Sequence, residues 1–314
     1  MIIVPGSSFN CGSSQVHFSL LTNQFSFFSR GFNVRSAFMK RIHLLGTLFF
    51  ATTLFAQTPY RAPRTPDGHP DLNGIWQALN EANYDLELHT ARPALALRDG
   101  PFGPVPVPQV LALGAAGAVP PGLGVVEGGT IPYRPEMIER KKENQKNWLT
   151  ADPEIKCDLP GVPRATYMPY PFQILQSNSA IFIAYEYDGA GRNLYLKDPG
   201  PPPVDSWMGQ SVAHWEGETL VVDVKGFNED TWFDRAGNFH SDKLHVIERY
   251  TRTSPDVISY EATIEDPTVF TRAWKISMPL YRRQEKNAQL MDFKCVEFVE
   301  ELIYGQLRKQ PLSR

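Results

Sequence analysis

From Pro171 to Arg282 this chain is patterned with period two: apolar and polar residues alternate in short runs divided by turn residues. Such alternation gives one buried and one wet face, which strands can satisfy and helices cannot. The runs predict strands at 172–177, 180–187, 192–197, 211–216, 218–225, 243–252, 257–265 and 272–282. Asp188-Gly189, Glu216-Gly217 and Ser254-Pro255-Asp256 separate them, and Glu216-Gly217-Glu218 reads as a tight hairpin. Eight short strands with no helix between them predict a mainly β fold, an antiparallel up-and-down barrel or a sandwich. A barrel also removes exposed strand edges.

The alternation assigns faces. In 257–265, Ile258, Tyr260, Ala262 and Ile264 share one side, and in 272–282, Trp274, Ile276, Met278 and Leu280 do the same. Run 243–252 breaks the rule, because Glu248 shares its face with Leu244, Val246 and Tyr250. A carboxylate among core positions is costly unless it is paired. Glu248 is therefore expected either to meet an arginine or to belong to a ligand site.

Residues 1–56 carry four basic residues and no Asp or Glu. Met39-Lys40-Arg41 followed by the apolar run Ile42 to Ala56 has the order of a secretory signal, with cleavage expected after Ala56. Met39 reads as the natural start and residues 1–38 as an upstream extension. The apolar run is shorter than the roughly 20 residues a spanning helix needs. Removing residues 1–56 leaves 258 residues with a net charge near −7. That acidic balance argues against nucleic acid and anionic membrane as partners and leaves a small molecule as the expected one. Periplasmic or secreted localisation follows. With 42% hydrophobic residues the chain has material for a core.

Residues 57–150 hold an extended arm, a Pro/Gly/Ala-rich stretch over 93–132 and a helix over 135–149 that opens on Pro135. Residues 151–314 are expected to form the β domain, with a short strand and then a helix after 285. Cys157 and Cys295 remain after export, and in an oxidising compartment their expected state is a disulfide.

The segments Cys157-Asp-Leu-Pro-Gly-Val-Pro-Arg164, Trp207-Met-Gly-Gln-Ser211, Trp215-Glu-Gly-Glu-Thr-Leu-Val-Val222, Trp232-Phe-Asp-Arg-Ala-Gly-Asn-Phe-His-Ser-Asp242 and Leu244-His-Val-Ile-Glu-Arg249 resemble an uncharacterised family of exported soil-bacterial proteins. Asp71-Leu-Asn-Gly-Ile-Trp76 resembles the Gly-x-Trp entry of lipocalin-type barrels. That likeness implies a calycin-like barrel with an internal cavity, a shape that does not by itself select a chemistry.

The densest polar cluster runs from Asn228 to Arg249. Within it His240 suits acid–base work, Asp234 or Asp242 would orient its ring, and Arg235 would hold a developing anion. The plain alternative is that these residues cap turns and pair with each other. His240, His245, Asp242 and Glu248 are also the residue types of a divalent-metal site. On a strand, however, His245 and Glu248 point to opposite faces, so no metal is assigned and the cofactor stays open. Trp207, Trp232, Glu248 and Tyr281 are the expected ligand-binding residues. Together these features predict a barrel binding a small aromatic or sugar-like molecule at its mouth, bordered by 228–242. Two alternatives remain: lyase, isomerase or hydrolase chemistry at His240, and an envelope interaction module using the arm and residues 93–132.

Overall fold

Nine strands close into a barrel in the computed structural model of this chain, which describes residues 60–93, 97–101, 103–106 and 118–299. In chain order they are β1 Gly74–Ala78, β2 Phe172–Gln176, β3 Ile181–Tyr185, β4 Gly191–Tyr195, β5 Gln210–Glu216, β6 Thr219–Lys225, β7 His245–Ser254, β8 Val257–Glu265 and β9 Trp274–Arg282. All eight expected strands are present, displaced by a few residues at their ends. The described residues belong to one unit, Gln57–Arg314. The expected signal and upstream extension, and the expected C-terminal helix, lie outside the described residues. No strand forms within the described residues 283–298.

Two features depart from a simple antiparallel meander. First, β1 comes from the N-terminal segment and closes the barrel, pairing antiparallel with β9 through Trp76↔Arg282 and with β2 through Trp76↔Phe172. Gly74 explains part of this entry. Its φ is +142°, and an added Cβ would stand 3.1 Å from the Arg282 guanidinium. The missing side chain lets Arg282 lie 4.8 Å over the buried Trp76 ring, while Trp76 Nε1 donates to Leu72 O at 2.9 Å.

Second, β4 and β5 run parallel and share only Leu194↔Ser211 and Tyr195↔Val212. A parallel connection must cross back along the barrel, and residues 196–209 do so. Pro199, Pro201, Pro202 and Pro203 cannot donate to a ladder, so this crossover lies over the seam without extending the sheet. The seam is the least tightly laddered part of the wall.

The inward faces are those the alternation assigned, including Ile258, Tyr260, Ala262 and Ile264 on β8. One end of the barrel is stoppered by residues 226–244 and 266–273, where Phe233 and Phe270 each meet Trp274 edge to face, at 5.6 and 5.3 Å. Outside the barrel, residues 125–127 bond to β9, as Ser277 N donates to Val125 O at 3.0 Å. The expected helix appears as α1 Ile138–Lys146 and α2 Trp148–Ala151, and a short buried α3, Arg164–Tyr167, follows. Cys157 and Cys295 are joined, with Cα atoms 5.7 Å apart. No helix among the described residues is long and apolar enough to cross a membrane.

Candidate functional site

At the heart of the barrel Glu248 meets an arginine. Its position on the inward face of β7 brings it to Arg192, which shares the inward parity of Leu194 on β4. Arg192 Nη2 donates to Glu248 Oε2, and Arg192 Nε donates to Ser211 Oγ at 2.7 Å. The hydroxyls of Tyr250 and Tyr260 donate to Glu248 Oε1 at 2.9 and 2.8 Å. Burial pushes both phenols well above their ordinary range, with Glu248 adding to the effect, so both stay protonated as donors. Burial works against the Arg192 charge, yet Glu248 beside it holds the guanidinium protonated. Arg192 Nη1 and the Tyr185 hydroxyl make no hydrogen bond of standard geometry, although the two side chains interact with each other.

Arg192 and Ser211 also line a cleft of about 410 Å³ between β4 and the crossover. Leu159, Pro202, Pro203, Trp207 and Met208 give it apolar walls, and Asn193 and Gln210 add amides. The cleft exists because the parallel seam holds only two residue pairs, so β4 before Leu194 is left without a ladder partner on β5. Trp207, 37% exposed, also lines a neighbouring cavity of about 270 Å³ with Trp232, Lys156, Asp158, Glu229 and Asp230.

The 228–242 segment does different work from that expected of it. His240 is 1% exposed. Its Nε2 shares a hydrogen bond with Thr231 Oγ1 at 2.6 Å and its Nδ1 bonds Ser241 O at 2.9 Å. Burial lowers the pKa of the ring, favouring the neutral form. Thr231 is itself held under Gly161, whose φ is +73° and where a Cβ would lie 2.6 Å from Thr231 Oγ1. Neither Asp234 nor Asp242 orients the His240 ring. Asp234 accepts four N–H bonds, from Leu86, Ala236 and the backbone and side chain of Asn238, at 2.6–3.1 Å. Burial and then the neighbouring Asp85 push its carboxyl up to about 7, against those four donors. Asp242 is exposed and pairs with Lys243 at 2.6 Å. Arg235 forms a two-bond contact with Glu154, both at 2.8 Å. Glu154 also takes Arg164 at 2.7 Å, and Arg164 grips Asp152 with two bonds of 2.7 and 2.9 Å. Burial raises Glu154, but Arg235 and Arg164 outweigh it and hold the carboxyl at about 2. This network ties residues 152–164 to the stopper.

Of the expected ligand-binding residues, Trp207 lines both cavities, Trp232 lines the second, and Glu248 reaches the cleft through Arg192. Tyr281 stands on the outer face of β9, 39% exposed, and lines neither. The cleft is therefore bordered by 202–211 and not by 228–242. His245 faces outward, bonded to Asp223 at 2.7 Å and Glu265 at 3.0 Å, while Glu248 faces inward. Among the described residues no group of three or more His, Cys, Asp or Glu could hold a metal ion. Leu79 and Leu123, 66% and 93% exposed, flank a third cavity of about 250 Å³. Arg192 escaped the sequence reading although the parity test that singled out Glu248 applies to it equally. The chain matches no family model, no curated protein and no solved structure.

Proposed function

We propose that this chain is an exported barrel protein that binds a small aromatic or sugar-like molecule in the cleft beneath the 196–209 crossover. One observation carries the reading. Arg192, 3% exposed, and Ser211 line a cavity of about 410 Å³ whose other walls are largely apolar. Trp207, Pro202, Pro203 and Met208 offer the flat apolar walls that rings use, and Asn193 and Gln210 offer orienting polar groups. The disulfide fits the oxidising compartment that export implies. Lyase, isomerase or hydrolase chemistry at His240 draws no support from the geometry, because that ring is buried, bonded at both nitrogens and lines neither cavity.

The test is a ligand screen by tryptophan fluorescence and thermal shift, using phenols, indoles, monosaccharides and disaccharides. At least one class is expected to bind. Trp207→Phe should abolish its fluorescence change, and Trp207→Ala should weaken it about tenfold, or ~1.4 kcal/mol. A screen in which nothing binds, or binding indifferent to both variants, overturns the reading.

A further inference from the structure

The disulfide joins two segments that are held very unequally. On one side, Cys157 follows the short turn of residues 153–156, and its N–H donates to Glu154 O at 3.2 Å. Glu154 is gripped by Arg164 and Arg235, so this side is fixed without the sulfur bond. On the other side, Cys295 belongs to residues 284–298, which follow β9 and run over the outside of the barrel without forming a strand. Arg283 N donates to Ile75 O at 2.9 Å and fixes the root of this stretch. Beyond it no residue as far as 298 is buried. Met291 N donates to Glu186 Oε2 at 2.8 Å and Phe298 N to Ile155 O at 2.9 Å. The Phe293 ring lies 4.9 Å from both Tyr170 and Tyr187. Ordering the backbone of one residue costs as much as one such hydrogen bond returns, and a stretch with no buried side chain has little apolar contact to offset that cost. The covalent tie therefore holds the docked position. Both cysteines are partly exposed, which leaves their sulfurs open to an attacking thiol.

We propose that residues 284–298 are a redox-released strap: reduction of Cys157–Cys295 undocks them, lifts Phe293 off Tyr170 and Tyr187, and leaves the barrel closed. The reductant is a dithiol. One of its thiolates attacks a sulfur of the bridge and frees the other cysteine, and its second thiol then resolves the mixed disulfide. Two electrons and two protons pass to the cysteine pair as the dithiol closes its own disulfide. The barrel keeps its shape because all nine strands precede residue 283 and close through the pairing of β1 with β9 and β2.

Hydrogen exchange read by mass spectrometry tests it, on the full chain with and without dithiothreitol under native conditions. Alkylation should first show both thiols freed. Amides of residues 284–298 are then expected to exchange at least about tenfold faster, while peptides from β7 and β8 stay protected. Trypsin should cut after Lys286 and Lys294 correspondingly sooner. Cys157→Ser/Cys295→Ser should show the fast strap without reductant and should not respond to it; if that variant does not fold, the reduction of the wild type decides alone. Thiols that stay linked, a strap whose exchange is unchanged after reduction, or β7 and β8 losing protection together with the strap would each overturn the inference.

Discussion

Glu248→Gln isolates the charge at the centre of the barrel. The amide keeps the shape of the side chain and an oxygen able to accept from Tyr250 and Tyr260, which now donate at 2.9 and 2.8 Å. What it removes is the anion opposite Arg192, a pair whose side chains are 0% and 1% exposed. An uncompensated charge at such a site costs about 3–5 kcal/mol, whereas replacing both members of a buried pair is often close to neutral. Arg192→Met, which strands Glu248 instead, should cost a similar amount. The double variant is expected to cost about 1 kcal/mol or less, against the roughly 6–10 kcal/mol that independent sites would add up to. Urea unfolding of the wild type, the two singles and the double closes the cycle. Since domains of this kind are stable by about 5–15 kcal/mol, both singles should be measurable at low temperature. A Glu248→Gln cost below about 1 kcal/mol, or additivity within about 0.5 kcal/mol, would refute the claim that the pair is a buried, mutually dependent charge couple. The same cycle bears on the cleft, because Arg192 is one of its lining residues.

Two further outcomes follow from the supporting network. Glu154 is held at about 2 against an ordinary 4.5, so its contribution is present above pH 4.5 and is lost as pH falls toward 2. The difference corresponds to about 3 kcal/mol; acid unfolding of Glu154→Gln should have a flatter slope over that window, and an unchanged slope would show that Arg164 and Arg235 do not hold this carboxylate. Joining Cys157 to Cys295 spans 138 residues, worth about 5 kcal/mol in the chain-entropy account. Cys157→Ser/Cys295→Ser should lower stability by several kcal/mol in chemical unfolding, and a loss under about 1 kcal/mol would show that the crosslink constrains little.

Strand positions and faces were legible because period-two alternation is local: each residue's side is set by its neighbours two places away. That rule located eight of the nine barrel strands and marked Glu248 as needing a partner. It did not find β1 as a barrel strand, because Gly74–Ala78 is short and pairs with strands about 100 and just over 200 residues further on. Nor did it show the parallel seam, which depends on where the 196–209 crossover lands. In the 228–249 cluster, residue type suggested chemistry while tertiary contact decided otherwise. Asp234, Arg235 and Asp242 lie within six residues of His240, yet each is claimed by a different partner. Density of polar residues along a chain says little about which of them converge.

What the sequence by itself determined was the set of inward and outward positions, the Cys157–Cys295 pairing and the presence of one inward carboxylate. The tertiary structure alone decided that Arg192 answers Glu248 from 56 residues away and that a cleft opens beside it. Alternation constrains the direction of a side chain, whereas a site requires side chains from distant strands to meet, and only closure of the barrel brings them together.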